Sequence, residues 1–560
     1  MSDSATLHSV DFRFLLPSVR HRPFEHLVLV GGPSRMAERL VETNTAVAVT
    51  HGATAQHDAD AIVVLGHQPP NLHEVMASLQ PAGILFLQRR NAPLMLGRTR
   101  TDTLRRELAA MGLELLATYA TRPDSISPRI YIPLGVTGPL PWYLRTLQLV
   151  PDPRSWLLNK ALLGIGNASP QLLASCLPDV AIVARKPVPG EAMAHQSPSI
   201  LADPLLESAV GETDLHPLLI SGQRTILFVF GRESSEPLAV IKIPKLASEN
   251  HATENGHRAL TDLKQQPDAS IAASVPQPVR LLNWRGISVA VESVVHGHTL
   301  ARALDTWRSS LNAKVEGLQQ AARWLSRFHR ASLLARTTWA PEDTARWVIA
   351  PTEQYRQMLG QTDGERQLFT DAADYARSVA TLDLPIVRQH RDFRPVNVIR
   401  GDRGEISVVD WEGYRAGPAF CDLFHFVMQW HSGARRLDAR TKVKGFERLL
   451  FEPIDDRIGH VVRDVMVEYM NELRLSGVVI PLLILYMLVE LATRRGAQQQ
   501  REQGGPDLRL GNENIQFVAA LAAHREEFLN APRVGSLLHQ LRHADGADEI
   551  ITLSKKSDQA

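Results

Sequence analysis

The sequence predicts an α/β domain with a parallel sheet, followed by a bilobal α+β domain. Short apolar segments alternate with amphipathic helical segments over the first 134 residues, which is the pattern of a parallel sheet covered by helices. From about Leu215 the chain is rich in strand-forming segments, and after Thr299 it becomes mainly helical. One hairpin that is rich in acids and amides interrupts this helical part.

The 560 residues are too many for one compact domain. A cluster of Pro, Gly and Ser near Lys186–Ser199 predicts the main boundary. We therefore expect an α/β domain, a connecting segment with a linker, a strand-rich lobe, a helical lobe and a flexible tail, at residues 1–134, 135–214, 215–300, 301–545 and 546–560.

Composition predicts a cytoplasmic protein. Sixty-one basic and sixty acidic residues leave a net charge of +1, which gives no electrostatic reason to expect nucleic acid as a partner. No signal peptide is recognisable. The most apolar run, Gly477–Ala492, is interrupted at Glu490 and is too short to span a membrane, so we expect a buried helix. Cys176 and Cys421 are expected to be free, buried thiols.

The hairpin places several oxygen-bearing side chains together. "NVIR" and "EISVVDW" predict two short strands joined by Gly401–Gly404. An antiparallel pair brings Asn397, at the start of the first strand, next to Asp410, at the end of the second. An amide oxygen and a carboxylate suit Mg²⁺ that also binds a phosphorylated ligand. Asp392, just upstream, is then placed to accept a proton from a hydroxyl.

These residues resemble a known family. The patterns His390-x-Asp392-x-x-x-x-Asn397, Asp410-Trp411-Glu412 and Gly417-x-x-x-x-Asp422-Leu423 resemble the aminoglycoside phosphotransferases and choline kinases, which share the protein-kinase fold. The resemblance covers roughly Leu215 to Ala531. It implies a protein-kinase-like domain in which Asp392 is the catalytic base, Asn397 and Asp410 bind Mg²⁺, Asp422 is a structural acid, and His390 holds the loop in shape.

Two arginines stand at notable positions of this pattern. Arg391 replaces the glycine that is usual in the phosphotransferases. Arg394 lies two residues beyond Asp392, where protein kinases have a lysine that contacts the transferred phosphate. The resemblance therefore implies that Arg394 stabilises charge on that group.

The resemblance also places an ATP site upstream. Lys242 lies on an apolar strand with isoleucine on each side, and a buried ammonium there needs an anion such as the ATP phosphates. Ser221 and Gly222 would lie near the turn that covers the phosphates. Glu254 is the best candidate for the helix acid that orients Lys242, with Glu249 second. Lys245 follows a proline and is expected to be solvated.

Adenine would be held by backbone hydrogen bonds at a hinge after the last strand of the smaller lobe. "VAVESVVHGHTL" resembles such a strand and hinge, with Glu292 to Val294 as the hinge itself. The turn into the helical lobe would be His296-Gly297.

The first 134 residues resemble the Rossmann-like sheet of a class I methyltransferase, with "VLVGGPSRMAERL" at the glycine turn. Gly31 and Gly32 are followed by Pro33 rather than by spaced glycines. The second strand ends at Thr50, where such enzymes place an acid for the ribose hydroxyls. We therefore expect a degenerate, methyltransferase-like scaffolding domain.

The leading hypothesis is an ATP- and Mg²⁺-dependent kinase that phosphorylates a hydroxyl of a small molecule. A non-catalytic pseudokinase and a bifunctional methyltransferase–kinase remain open, as does a purely structural role in which Asn397 caps the hairpin and Asp410 pairs with an arginine. The acceptor could be an aminoglycoside, an amino alcohol or a sugar, and a biosynthetic role is favoured.

Overall fold

The structure is a computed structural model of the chain. It describes residues 10–17, 22–52, 58–66, 72–90, 100–123, 128–148, 152–168, 179–188, 200–201, 208, 210–306, 309–379, 382–503 and 508–544.

The chain forms two compact units. The first contains Met1–Arg258 and Pro276–Val294, and the second contains Ala259–Val275 and Val295–Ala560. The domain boundaries expected from the sequence stay predictions.

One twelve-stranded mixed sheet organises the first unit, in the order β11-β12-β10-β9-β8-β6-β5-β7-β4-β3-β1-β2. Its strands are β1 (Phe24–Val30), β2 (Ala46–His51), β3 (Ala59–Leu65), β4 (Leu79–Arg90), β5 (Glu114–Arg122), β6 (Ile130–Pro133), β7 (Asp179–Arg185), β8 (Leu215–Ser221), β9 (Thr225–Gly231), β10 (Ala239–Ile243), β11 (Pro278–Trp284) and β12 (Ile287–Glu292).

The sheet is parallel only in its first part. Strands β1 to β4 pair in parallel, as their apolar runs predict. Strand β7 then inserts antiparallel between β4 and β5, and the pairing stays antiparallel from there to β11. The sheet is continuous because β6 pairs with β8, through Ile130 opposite Ile220 and Tyr131 opposite Leu219. The strands on either side of the predicted linker therefore share one sheet.

Within the described part of the chain, five helices belong to the first unit, and a sixth begins in the first unit and ends in the second. They are α1 (Arg35–Glu42), α2 (Leu72–Ala77), α3 (Arg100–Ala110), α4 (Pro139–Thr146), α5 (Pro153–Ala168) and α6 (Asn250–Lys264). On one face, helix α3 packs its Leu104 and Leu108 with Ile62 and Leu85 of the parallel strands. The alternation of apolar strands and amphipathic helices in the sequence reflects this packing.

A short N-terminal segment, residues 10–16, is buried against the sheet. It contains a 3₁₀ helix, Asp11–Leu15, whose five residues are all buried. Phe12 stacks on Phe86 of β4 at 4.6 Å between ring centroids, and Phe14 packs on Trp284 of β11 at 5.5 Å. The segment therefore contacts β11, an edge strand of the sheet, and β4, the ninth strand in its order.

The second unit is mainly helical. It contains two small sheets, β13-β16-β17 and β14-β15-β18. Their strands are β13 (His298–Thr299), β14 (Leu333–Thr338), β15 (Asp383–Gln389), β16 (Val398–Arg400), β17 (Ile406–Val408) and β18 (Arg415–Pro418). The helices are α7 (Ala269–Ala273), α8 (Leu300–Asp305), α9 (Leu311–Ala331), α10 (Pro341–Thr344), α11 (Ala350–Leu359), α12 (Asp363–Ser378), α13 (Cys421–Ala434), α14 (Lys442–Phe451), α15 (Arg457–Leu473), α16 (Ile480–Gln503), α17 (Glu513–Ala523), α18 (Arg525–Leu529) and α19 (Leu537–Arg542).

Helix α16 carries the most apolar run of the chain. Among the described residues, Gly477–Gln500 is the single helical stretch with the length and composition of a membrane span, and 83% of its most apolar window is buried inside the structure. Its side chains belong to the large apolar core of the second unit. Cys421 is buried beside this helix as a free thiol, as predicted. Cys176 lies outside the described residues.

Candidate active site

The hairpin of the second unit forms with the predicted register. Strands β16 and β17 pair antiparallel, with Val398 opposite Val408. The N–H of Val409 then donates to the carbonyl oxygen of Asn397 at 3.0 Å. Asp410 follows directly, in the left-handed region at φ 73°. The pairing therefore sets Asn397 and Asp410 side by side at the open end of the hairpin.

Asp392 is held by two neighbours. Arg394 forms an ion pair with its carboxylate, in which Nη2 donates to Oδ2 at 2.8 Å and Nε lies 2.7 Å from Oδ1. The Nδ2 group of Asn397 donates to the carbonyl oxygen of Asp392 at 2.9 Å and to its Oδ2 at 3.0 Å. This arrangement uses the amino side of the Asn397 amide and leaves Oδ1 as the oxygen suited to a cation.

His390 and Asp422 fix the backbone of this loop, as predicted. Asp422 accepts hydrogen bonds from the N–H groups of His390 at 2.6 Å and Arg391 at 2.7 Å. His390 bonds through Nε2 to the Val409 carbonyl at 2.9 Å and through Nδ1 to the Asp392 N–H at 3.2 Å. Burial opposes ionisation of Asp422, but His329 and His390 outweigh it and lower the pKa of its carboxyl.

The position of Arg391 explains why glycine is usual there. Its φ is 64°, a left-handed conformation that costs a residue with a side chain about 1 kcal/mol or more. The Arg391 guanidinium forms an ion pair with Glu490 of α16. The opposite side of the loop is also tight, because a Cβ at Gly413 would lie 2.7 Å from the His390 carbonyl oxygen.

In the first unit, Lys242 is buried on β10, as the apolar strand predicts, but its partner differs from the prediction. Its Nζ lies 2.8 Å from Oε2 of Glu292, the last residue of β12. Glu254, predicted to orient this lysine, instead accepts a hydrogen bond from Ser288 Oγ at 2.7 Å. The carboxylate that pairs with Lys242 therefore comes from strand β12 and not from helix α6, so the predicted pairing of Lys242 with Glu254 is wrong.

Glu292 was predicted as a hinge residue that acts through its backbone, and the structure gives its side chain a further contact with Lys242. Beyond it, the Ser293 N–H donates to the Gln277 carbonyl at 2.9 Å, and Val294 is the last residue of the first unit. Val294 is half-buried. Its predicted contact with adenine stays a prediction.

Ser221 and Gly222 lie where β8 turns into β9, as expected, but Ser221 faces the protein interior. Its Oγ donates to Asp11 Oδ2 and accepts from Lys245 Nζ at 2.9 Å. Lys245, expected to be solvated, is buried and forms an ion pair with Asp11. The Ser221 hydroxyl therefore belongs to a buried polar cluster. The prediction that it contacts the phosphates of ATP at the covering turn is wrong. Gly222 stays at the turn.

Arginine side chains lie around the loop that contains Asp392, and the sequence analysis did not identify Arg494 of α16 among them. Arg494 donates to the Arg391 carbonyl oxygen at 2.9 Å. Burial lowers the pKa of His425 to about 3, and Arg394 and Arg494 add to this effect. Burial, Arg494 and Arg415 likewise lower the pKa of Arg391 to about 9. The sequence did contain a signal for these arginines, because the charged residues of "ELATRR" interrupt an otherwise apolar helix.

Among the described residues, no group of three His, Cys, Asp or Glu side chains could hold a metal ion by itself. The predicted Mg²⁺ site has one carboxylate and one amide, so a phosphorylated ligand and water would have to supply the remaining oxygens.

Comparison with known proteins places part of the chain near a family of phosphotransferases. Residues 229–454 match the family model APH, described as the phosphotransferase enzyme family. This stretch includes every predicted site residue except Ser221 and Gly222. No curated protein is similar to the chain at a significant level.

Several solved structures are similar over part of the chain. Aminoglycoside phosphotransferase APH(3'')-Id from Streptomyces rimosus is 16% identical, with 49% of this chain and 97% of that chain covered and a TM-score of 0.29. A choline/ethanolamine kinase family protein from Mesorhizobium loti is 12% identical, with 61% and 96% covered and a TM-score of 0.37. Macrolide 2'-phosphotransferase MphH from Brachybacterium faecium is 13% identical, with 53% and 92% covered and a TM-score of 0.33.

The family match includes the loop that contains Asp392. On this evidence the chain is an enzyme, a kinase that transfers a phosphoryl group to an alcohol.

Proposed function

We propose that this chain uses ATP and Mg²⁺ to phosphorylate a hydroxyl group of a small molecule, in a biosynthetic rather than a drug-inactivating role. The arrangement of Asp392, Arg394 and Asn397 carries the proposal, because one carboxylate is oriented from two sides while the oxygen of the neighbouring amide stays available. Kinases work mainly by positioning and electrostatics, and this loop supplies both.

Each residue of the loop has a role in this proposal. Asp392 accepts the proton of the acceptor hydroxyl, and Arg394 both orients Asp392 and stabilises negative charge on the transferred group. Asn397 Oδ1 and the Asp410 carboxylate would hold Mg²⁺, since hard oxygen donors suit this ion. When bound, Mg²⁺ would neutralise phosphate charge.

In the first unit, Lys242 binds the α- and β-phosphates of ATP and Glu292 holds its ammonium in place. The 2.8 Å ion pair between the two buried side chains supports this role. Gly222 and Val294 would lie near the phosphates and the adenine respectively. Glu254 supports strand β12 through Ser288 and does not touch the nucleotide.

The decisive experiment replaces Asp392 with Asn. We expect ADP release in the presence of acceptor to fall by about 10²–10⁴-fold, because the general base is lost. Binding of ATP with Mg²⁺, measured by calorimetry, should change little. Equal turnover by this variant would contradict the proposal, and failure of the wild type to bind ATP would favour a non-catalytic pseudokinase.

We also propose that the parallel part of the first unit is a degenerate, methyltransferase-like scaffold. Two contacts support this. A Cβ at Gly31 would lie 2.1 Å from the Leu65 carbonyl oxygen, so this glycine serves packing, and Thr50 Oγ1 is hydrogen-bonded to His26 at 2.8 Å. Calorimetry of the full chain with S-adenosylmethionine should show no binding. Micromolar binding would instead favour a bifunctional methyltransferase–kinase.

A further inference from the structure

A cleft in the second unit lies next to the catalytic loop. It has a volume of about 280 Å³, and the residues that matter for its chemistry are Arg346, Trp347, Gln354, Arg415, Tyr486 and Glu490. Pockets that bind drug-sized ligands measure roughly 300–1,000 Å³. The cleft is therefore suited to a smaller group, such as one sugar ring or a short organic acid.

The cleft is connected to the catalytic loop through one acid. Glu490 forms ion pairs with both Arg415, at 2.5 Å, and Arg391. Arg391 directly precedes Asp392 in the loop. Arg415 also donates to the Tyr486 hydroxyl at 2.7 Å, which fixes its guanidinium on the cleft wall. The cleft is thus linked by contacts to the residue that precedes the proposed base.

The charge of the cleft is positive. Glu490 is its one acid, and two guanidinium groups already neutralise it. Arg346 is exposed, lies 4.4 Å above the Trp347 ring, and has no carboxylate partner among the described residues.

Two acids of the adjoining helical segments are engaged elsewhere. Asp343 accepts from Trp347 Nε1 at 3.1 Å, and Glu353 binds Arg356 through Nε at 2.8 Å and Nη2 at 2.5 Å. The guanidinium of Arg346 is therefore available to a ligand.

We propose that this cleft binds an anionic group of the acceptor, so that the substrate is an acidic alcohol that carries a phosphate or carboxylate beside the reacting hydroxyl. Arginine suits this task because its planar group binds both kinds of anion through two N–H donors. The inference rests on the proposed function, since it names the acceptor class for the same site. It excludes cationic acceptors, for which the cleft offers no spare carboxylate.

A matched set of probes tests the inference. Glucose 6-phosphate, glucuronate, glucose and glucosamine share one ring and differ in charge, and glycerate extends the set to a short acid. At equal ionic strength, the melting temperature of the wild-type protein should rise with one or more of the three acidic probes. It should not rise with glucose or glucosamine.

Variants of Arg346 test whether the acidic probes bind in this cleft. The Arg346→Gln variant should lose the shift, and Arg346→Lys should keep part of it because the charge is retained. The Arg366→Gln variant, which removes an exposed ion pair with Asp363 on α12, should behave as the wild type. If an acidic probe is turned over, Arg346→Gln should raise its KM about tenfold, as for one lost charge-assisted contact, without changing the KM for ATP.

The inference is overturned if glucosamine stabilises the protein more than the acidic probes, if no acidic probe gives a shift, or if Arg346→Gln keeps the full shift. Failure of the proposed function would look different. An acidic probe would then bind in an Arg346-dependent way, and no ADP would be released.

Discussion

At the scale of single residues, the contact between Lys242 and Glu292 gives a direct prediction. We expect Glu292→Gln to raise the KM for ATP by about tenfold or more, because the Lys242 ammonium loses the carboxylate that orients it. The KM for the acceptor should change little. Steady-state rates of ADP release at varied ATP concentration measure both constants.

Glu254→Gln is the matched control. It removes the same charge from a residue that contacts Ser288 and not Lys242, so the KM for ATP should stay within about twofold of the wild type. If Glu254→Gln raised the KM for ATP more than Glu292→Gln, Glu254 would be the functional partner of Lys242.

This pair also shows what the sequence can and cannot predict for a residue. Lys242 was identified because a charged side chain among isoleucines needs an anion. Its partner depends on strand pairing, which sets Lys242 opposite Ala290 and so brings Glu292, two residues further on the same face, within reach of a long side chain. No local sequence pattern predicts that β10 and β12 are neighbours in the sheet.

At the scale of elements, the N-terminal segment (residues 10–16) gives the next prediction. Asp11 is fully buried, and although burial opposes its ionisation, Lys245 and Arg13 outweigh this and lower the pKa of its carboxyl. The Asp11→Ala variant would leave Lys245 buried without this carboxylate. We expect a loss of about 3–5 kcal/mol in the free energy of unfolding, measured by urea denaturation.

The control for this variant is Glu236→Gln. Glu236 forms an exposed ion pair with Arg145 at 3.1 Å, and its loss should cost less than about 1 kcal/mol. Similar costs for the two variants would mean that the buried ion pair contributes nothing specific to the stability of the first unit.

Helices and strands could be predicted from the sequence where a single local pattern determines them. The hairpin of β16 and β17 follows from two apolar runs and a Gly-bounded turn, and the strands β1 to β4 follow from their apolar runs. The continuity of the sheet was not predictable, because it depends on two residue pairs between β6 and β8 that lie about ninety residues apart in sequence. Such non-local pairing leaves no periodic signal.

At the scale of the whole molecule, buried neutral histidines predict how stability depends on pH. Burial lowers the pKa of His425 to about 3, and burial with Arg435 lowers that of His431 to about 4, from 6.5 in the unfolded chain. Because the unfolded state binds these protons first, the stabilisation is complete above about pH 6.5 and is lost as the pH falls toward the folded values.

From about pH 7.5 to pH 5 we expect each of these histidines to account for a loss of about 2 kcal/mol in the free energy of unfolding. Urea denaturation at the two pH values measures it. The His425→Gln variant should lose about 2 kcal/mol less than the wild type over this range, whatever its stability at the higher pH. His460→Gln removes an exposed histidine and should leave the difference unchanged. An equal pH dependence in wild type and His425→Gln would mean that His425 does not stay neutral in the folded protein.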